Sequence, residues 1–279
     1  MQQVISASRR TDIPAFYLKG FMDSIRNGFV EVANPFYPKQ IRRVSLLPQD
    51  VAWIVFWSRN YAPFLQHASF FNSYELFFHF TILPPSKLEK IAVKNGRALA
   101  QLQQLANRYD PQRIIWRYDP LVYWREGNNL VTNHHIRDFE FLCREIGTVG
   151  VKRCYTSFAF PYRKFLTRFK TKFPGDSLYE PTRSEQLNII TDMQAVASAY
   201  GIRLFSCCND HLLQVAGVEK GHCIDGNLLN HLSPTKQVSV AKAPTRKDCG
   251  CTKSVDIGDY RKQPCPFGCI YCYANPLWN

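Results

Sequence analysis

Several common features are absent from this chain of 279 residues. No segment approaches the run of about eighteen apolar residues that a membrane-spanning helix needs, which excludes a helical membrane protein. The polar start Met1–Gln3 lacks the basic and apolar regions of a signal peptide, so we expect a cytoplasmic location. Internal repeats and low-complexity tracts are also missing, which argues against a repeat architecture or a disordered tail. The seven histidines show no metal-ligand spacing beyond the adjacent pair His134 and His135, which cannot face one point from a helix.

Acidic residues are scarce relative to basic ones, with 22 Asp and Glu against 35 Lys and Arg, and the formal net charge is +13. A chain this basic attracts polyanions, so we expect an anionic substrate or partner, and a nucleic acid is the obvious candidate. The segment Tyr162–Phe173 interleaves five cations with four aromatic residues, which suits phosphate neutralisation and base stacking. The alternative is an amphipathic helix in which Phe165 and Phe169 face the core and the cations are solvated.

Apolar residues are plentiful: 46% of the chain is hydrophobic and 14% is aromatic, enough to bury the core of one sizeable α/β domain. Several short runs are continuously apolar, as expected of parallel strands buried on both faces. Strands are predicted at Val4–Ser8, Val30–Ala33, Val51–Trp57, Glu75–Leu83, Arg113–Arg117, Val149–Phe158 and Ile202–Cys207.

Longer helical stretches separate these strands. Helices are predicted at Ala15–Asn27, Ser86–Arg108, Thr132–Ile146 and Thr182–Tyr200. The capping-box pairs Ser86 with Glu89 and Thr182 with Glu185 mark two helix starts. Repeated βα units with right-handed crossovers favour a full or partial (β/α) TIM-type barrel over residues 1–237, followed by an irregular cysteine-rich segment over residues 238–279.

Polar side chains follow three of the predicted strands, in the segments Ser8–Asp12, Ser58–Asn60 and Arg117–Pro120. Because active sites of βα barrels lie at the carboxyl ends of the strands, these segments supply candidate site residues. We predict catalytic roles for Arg10, Asp12, Arg59, Arg117 and Asp119, and cofactor contacts for Ser58 and Asn60. The arginines suit bidentate binding of a carboxylate or phosphate. The alternative is that Arg10 with Asp12, and Arg117 with Asp119, form ion pairs that order the rim.

Three of the ten cysteines form a tight C-x3-C-x2-C pattern near the end of the chain, at Cys265, Cys269 and Cys272. Pro266 and Gly268 allow the sharp turns that direct the three sulfurs to one centre. Three thiolates can bind three irons of a four-iron cluster and leave the fourth iron open for chemistry. The alternatives are a zinc knuckle and a closed structural cluster, but zinc sites more often use C-x2-C pairs, so the pattern favours iron.

Four further cysteines, Cys207, Cys223, Cys249 and Cys251, are enough to saturate a second, auxiliary site. This site fits either a second iron–sulfur cluster or a tetrahedral zinc ion. Cys143 and Cys154 lie in a predicted helix and a predicted strand, where small buried apolar residues are expected.

The terminal pattern, with Tyr271 directly before its third cysteine, resembles the cluster motif of radical S-adenosylmethionine enzymes. The resemblance implies that the open iron binds S-adenosylmethionine and that Tyr271 packs near the adenine of that cofactor. In that superfamily the motif lies near the N-terminus, whereas here only Tyr273–Asn279 follow it, so a circularly permuted relative is implied.

Nearly the whole chain resembles the uncharacterised family called domain of unknown function 1848. The segments that carry this resemblance are Ser8–Pro14, Phe56–Asn60, Trp116–Pro120, Cys223–Asp225, Cys249–Cys251 and Asp256–Tyr260. The family pattern places Cys207 rather than Cys208 at a ligand position, although Asn209 and Asp210 depart from the usual Ala-Glu that follows. Phe56–Asn60 and Arg117–Pro120 are also similar to segments of radical photolyase-like repair enzymes, which points to a nucleic-acid base as substrate.

Together these features predict a radical S-adenosylmethionine-type enzyme that generates a 5′-deoxyadenosyl radical. It would need an electron donor such as ferredoxin or flavodoxin. The competing prediction is an iron–sulfur protein that binds nucleic acid or transfers electrons without radical chemistry. A third is a nucleic-acid-binding module stabilised by zinc.

Overall fold

The computed structural model of the protein describes residues 2–244 and 248–278. Of the two predicted segments, residue 1 of the first and residues 245–247 and 279 of the second lie outside the described residues. The strands are β1 (Gln3–Ala7), β2 (Phe29–Ala33), β3 (Ile41–Ser45), β4 (Val51–Ser58), β5 (Glu75–Thr81), β6 (Ile114–Arg117), β7 (Tyr123–Glu126), β8 (Asn129–Thr132), β9 (Arg153–Thr156), β10 (Asp176–Tyr179), β11 (Arg203–Ser206), β12 (Val218–Lys220) and β13 (Val255–Asp256). The α-helices are α1 (Leu18–Arg26), α2 (Ala62–Gln66), α3 (Asn95–Tyr109), α4 (Ile136–Thr148), α5 (Arg163–Lys172), α6 (Arg183–Ala199) and α7 (Gly226–Leu232).

A parallel sheet of eight strands forms the centre of the fold, in the order β12-β11-β9-β6-β5-β4-β1-β13. Six of the seven predicted strands lie in this sheet, which confirms the mixed α/β class. The seventh, at Val30–Ala33, is a strand, but it pairs antiparallel with β3 in a separate hairpin. A three-stranded antiparallel sheet, β10-β7-β8, was not predicted. Within the described residues the edge strands β12 and β13 do not pair with each other, so hydrogen bonds do not close the sheet into a barrel there.

Strand β4 shows why the apolar runs are continuous. Its alternate residues point to opposite faces of the sheet. Ile54 and Phe56 join the large core cluster that includes the helices, whereas Trp53 and Val55 join a second cluster with α7 and the cysteine-rich segment. Both faces are therefore buried, as expected of a parallel sheet with covered faces.

The predicted helix at Ser86–Arg108 is wrong in its first part, because α3 begins only at Asn95. The Ser86 hydroxyl donates to Glu89 at 2.7 Å, but it does so in an irregular segment. Backbone groups of this segment bond the C-terminal cysteine loop instead of an intrahelical partner: Leu88 accepts from the Ile270 N–H at 2.9 Å. A tertiary partner thus overrides a local helix signal. The capping box of Thr182 and Glu185 at the start of α6 is confirmed.

The basic segment Tyr162–Phe173 forms α5, in which Phe165 and Phe169 are each only 2% exposed. The amphipathic-helix alternative is therefore confirmed for these two rings, which are not available to stack on bases. Its expectation of solvated cations is wrong for Lys164 and Arg168, which bond Asn275 and the Cys272 carbonyl. Among the described residues, none of the helices has both the length and the apolar character to cross a membrane.

Candidate functional site

The terminal loop, defined as residues 265–272, lies against the carboxyl-terminal side of the parallel sheet. It follows β13 and contacts the segment after β5, where the Lys90 N–H donates to the Phe267 carbonyl at 3.0 Å. On the β1 side, the Tyr17 hydroxyl donates to the Pro264 carbonyl at 2.6 Å. The loop therefore packs where the predicted site segments emerge from their strands.

Gly268 forms the sharp turn within the terminal loop. Its φ of +64° lies in the left-handed region that favours glycine. A Cβ at this position would lie 2.6 Å from Lys90 Cβ and 2.7 Å from the Leu277 carbonyl oxygen. Both the backbone conformation and the close approach of its neighbours therefore require glycine here.

Arg59 is the buried centre of the polar groups beneath the terminal loop. Its Nη1 donates to the Tyr271 hydroxyl at 2.7 Å and lies 3.5 Å from Glu89 Oε1 and 3.9 Å from Cys269 Sγ. The Tyr271 hydroxyl in turn donates to Glu89 at 2.6 Å. Burial lowers the pKa of Arg59, but its interactions with Tyr271, Glu89 and Cys269 outweigh burial and leave the pKa above its ordinary value. The guanidinium is therefore a permanent cation beside a loop cysteine.

Asp12 orients the backbone that carries Arg59. It accepts hydrogen bonds from the Ser58 hydroxyl at 2.7 Å and from the Arg59 N–H at 3.0 Å. Burial raises the pKa of Asp12 to about 7. The structure thus brings the predicted residues Asp12, Ser58, Arg59 and Tyr271 into one network. The side chain of Asn60 accepts from the Ala62 N–H at the start of α2, so its predicted cofactor contact stays a prediction.

The predicted pairing of Arg10 with Asp12 is wrong. Arg10 Nε lies 3.0 Å from Asp256 in β13, and Arg10 Nη1 donates to the Ala33 and Gly258 carbonyls. These contacts attach the C-terminal strand and the β2–β3 hairpin to β1. Asp12 was expected to pair with Arg10 because the two are close in sequence. Its carboxylate instead accepts hydrogen bonds from Ser58 and Arg59 at the end of β4.

The alternative pairing of Arg117 with Asp119 is confirmed. Arg117 binds both carboxylate oxygens of Asp119, with Nε donating at 2.9 Å. Its Nη1 donates to the sulfur of Cys223 at 3.1 Å. Arg117 therefore links the strand end to the second group of cysteines rather than to the terminal loop.

The four cysteines of the predicted auxiliary site come together from three separate segments. The sulfurs of Cys207 and Cys223 lie 3.4 Å apart, and side-chain hydrogen bonds join Cys223 to Cys251 and Cys251 to Cys249. Cys208 also contacts Cys207. Across residues 2–244 and 248–278, no set of three or more His, Cys, Asp or Glu side chains is placed so that it could hold a metal ion as it stands. Hydrogen bonds between sulfurs therefore join the auxiliary cysteines here.

The three sulfurs of the terminal loop are arranged differently. Burial raises the pKa of Cys265, and its interactions with Cys269 and Cys272 raise it further. Within the described part of the chain no hydrogen bond joins the sulfurs of these three cysteines. Burial raises the pKa of Cys269 to about 12. The three thiols thus lie on a loop that turns tightly at Gly268, with the Arg59 cation beside one of them.

His79 is a site residue that sequence reasoning missed. It lies fully buried within β5, its ring stacks parallel on Trp57 at 4.8 Å, and its Nε2 bonds the Cys223 carbonyl at 2.7 Å. Burial, together with the charge of Arg117, lowers the pKa of His79 to about 3, so the ring is neutral. Its Nδ1 has no hydrogen-bond partner among the described residues. The sequence signal that could have identified His79 is its position as a polar residue within the apolar run of β5.

Two comparisons gave matches. A family model described as domain of unknown function (DUF1848) matches residues 4–274. A search of curated proteins found no match. Among solved structures, a D-hydantoinase aligns with a TM-score of 0.32 and 9% identity, over 61% of this chain and 38% of that chain. A D-hydantoinase from Bacillus sp. AR9 aligns with a TM-score of 0.31 and 10% identity, with the same coverages of 61% and 38%. The chain thus spans well under half of these enzymes, and likenesses this weak carry no argument.

Proposed function

This chain belongs to the family of domain of unknown function 1848, and we propose that it is a radical S-adenosylmethionine-type iron–sulfur enzyme acting on an anionic substrate. The observation that carries the proposal is the position of the terminal loop. Its cysteines lie at the carboxyl ends of parallel strands, and the buried cation of Arg59 lies 3.9 Å from Cys269. Open sheets and barrels of this class place their ligands at that edge.

In this proposal Cys265, Cys269 and Cys272 hold a [4Fe-4S] cluster. Cluster and S-adenosylmethionine together would supply one-electron cleavage of the sulfonium bond, which yields methionine and a 5′-deoxyadenosyl radical. Arg59 would offset the negative charge of the thiolates, since its Nη1 already faces Cys269. Its Nε is buried without a partner among the described residues, so this donor remains for the cofactor.

The strand next to the loop supports a permuted arrangement. A loop that lies near the start of the chain in the superfamily would follow an early strand. Here it follows β13, which pairs in parallel with β1 at the sheet edge. We propose that the sheet corresponds to a partial (β/α) barrel whose first strand has moved to the C-terminal end of the chain.

The β2–β3 hairpin supports a nucleic acid as the anionic substrate. Its tip exposes Phe36 by 85% and Tyr37 by 71%, and Lys39, Arg42 and Arg43 are exposed beside them. Exposed rings with neighbouring cations suit stacking on unpaired bases and phosphate contacts. The end of β2 next to the hairpin tip lies beside the predicted site segment Ser8–Asp12, since the Ala33 carbonyl accepts from Arg10. This surface takes the place of the α5 rings, which are buried.

The protein would receive its electron from a small donor such as ferredoxin or flavodoxin, and a reducing cytoplasm would keep its thiols available. The test is electron paramagnetic resonance of the reconstituted, dithionite-reduced protein, with and without S-adenosylmethionine. We expect a cluster signal that the cofactor changes, in the wild type and in the control Cys143→Ala, whose thiol lies in α4 away from the loop. A cluster signal that the cofactor leaves unchanged would favour an electron-transfer or binding protein instead.

A further inference from the structure

Hydrogen bonds between side chains link the auxiliary cysteines (Cys207, Cys223, Cys249 and Cys251), and the sulfurs of Cys207 and Cys223 lie 3.4 Å apart. Their contacts form a chain from Cys207 through Cys223 and Cys251 to Cys249. This distinguishes them from the terminal loop, where no such contact joins the sulfurs within the described residues. The two cysteine groups therefore differ in whether hydrogen bonds join their sulfurs.

The spacing of the auxiliary cysteines fits a single ion. A tetrahedral zinc site with Zn–S bonds of about 2.3 Å separates its sulfurs by about 3.8 Å. The observed 3.4 Å between Cys207 and Cys223 is a few tenths of an ångström short of that value. A four-iron cluster binds each thiolate to a different iron and so requires sulfurs that do not touch. Binding one ion would replace the sulfur contacts by metal bonds and requires the four sulfurs to move, because as placed among the described residues they do not yet form a metal site.

The surrounding charges fit the same centre. Four thiols that bind Zn²⁺ release four protons and leave a centre with a charge of −2. Arg117 donates to the Cys223 sulfur at 3.1 Å, and Arg9 interacts electrostatically with Cys223 and Cys251. Buried Arg117 and half-buried Arg9 thus lie beside the sulfurs, although each also pairs with a carboxylate, Asp119 and Asp256 respectively. A hydrogen bond to a ligand sulfur is a typical outer contact of a metal centre.

The position of the auxiliary cysteines gives the ion a structural role. Cys223 follows the edge strand β12, and Cys251 precedes the opposite edge strand β13. Backbone contact already joins these two connections, because the Thr252 N–H donates to the Ile224 carbonyl at 2.9 Å. An ion bound here would tie together two sheet edges that backbone hydrogen bonds leave open within the described residues.

We propose that Cys207, Cys223, Cys249 and Cys251 bind one divalent ion of the zinc class, which fastens the two edges of the sheet, rather than a second iron–sulfur cluster. The four ligands belong to this chain and lie outside the terminal loop. The proposal is therefore independent of the radical chemistry.

The test is the metal content of anaerobically purified protein, measured for zinc and iron together. The variants are Cys223→Ala, Cys207→Ala, the control Cys208→Ala, and a triple variant with Cys265, Cys269 and Cys272 changed to Ala. We expect about one zinc per chain in the wild type, in Cys208→Ala and in the triple variant, which loses its iron. Cys223→Ala should lose zinc at least about tenfold and keep its iron. Cobalt substitution of the wild type should give the absorption of a tetrahedral thiolate site, even if Cys223→Ala does not fold.

Three outcomes would overturn the proposal. Iron that remains in the triple variant and is lost with Cys223→Ala would identify a second cluster. Zinc lost from Cys208→Ala but retained when Cys207 is changed to Ala would place the ligand at Cys208. A wild type that binds neither zinc nor cobalt at these thiols would show that no metal site exists. Failure of the radical chemistry alone would leave the zinc content unchanged, so the two proposals fail separately.

Discussion

Substitution of Gly268 by alanine isolates the geometry of the terminal loop. An alanine at this left-handed position costs about 1–2 kcal/mol in backbone strain. The new Cβ would also lie 2.6 Å from Lys90 Cβ, whereas carbon atoms pack best at about 3.5–4.0 Å. The loop must therefore shift by about 1 Å, and overpacking of this kind costs a further ~1–3 kcal/mol.

Gly127 provides the matched control. It has a φ of +58° in the turn between β7 and β8, and a Cβ there would meet nothing within 4 Å. Gly127→Ala should therefore show the strain of about 1–2 kcal/mol without a collision.

The assay compares thermal unfolding and iron content after anaerobic reconstitution in the two variants. We expect Gly127→Ala to keep its iron, and Gly268→Ala to lose most of it and to unfold at a lower temperature. Equal iron and equal stability in the two variants would refute the argument that the loop turn sets the positions of its cysteines.

Three further predictions concern the groups around the loop. Glu89→Gln should lower the free energy of unfolding by about 3 kcal/mol in denaturant titrations, because it leaves the buried cation of Arg59 without its charged partner; a change below 1 kcal/mol would contradict this. Since burial raises the pKa of Asp12 to about 7, the stability that its protonated form supports is complete below about pH 4 and declines as the pH rises towards 7. In Asp12→Asn the free energy of unfolding should therefore decline by up to about 4 kcal/mol less over this pH range than in the wild type. The same pH dependence in the two proteins would contradict this prediction. Phe36→Ala combined with Tyr37→Ala should weaken the binding of fluorescent oligo(dT) at least about tenfold without changing its salt dependence, since base stacking contributes ~1–3 kcal/mol per base; unchanged affinity would remove the hairpin from the proposed interface.

The central sheet was predictable because its strands are buried on both faces and so contain continuous apolar runs. The strand Val30–Ala33 was also predicted, although Glu31 interrupts its apolar residues, but it belongs to the hairpin, and strand propensity does not specify a partner. Ser86 and Glu89 have capping-box spacing, yet their segment bonds the terminal loop about 180 residues later in the chain. Local signals cannot anticipate such a partner.

The site was predictable where chemistry follows a strand end, and unpredictable where it depends on distant pairing. Asp12, Ser58 and Arg59 converge as the parallel arrangement predicts. Glu89 was assigned to a helix start and is instead the buried partner of Arg59. Arg10 pairs with Asp256, which is nearly the whole chain away in sequence but adjacent in the sheet. Contacts between residues this far apart in sequence depend on which strands are neighbours in the sheet, and residue spacing does not predict them.

The most direct test of the proposed function is the formation of 5′-deoxyadenosine. Wild type, Cys269→Ala and the control Cys143→Ala would be reconstituted without oxygen, reduced with dithionite and incubated with S-adenosylmethionine. The account predicts 5′-deoxyadenosine from the wild type and Cys143→Ala and none from Cys269→Ala. Iron bound in the wild type without any cleavage of the cofactor, or zinc in the terminal loop in place of iron, would contradict it.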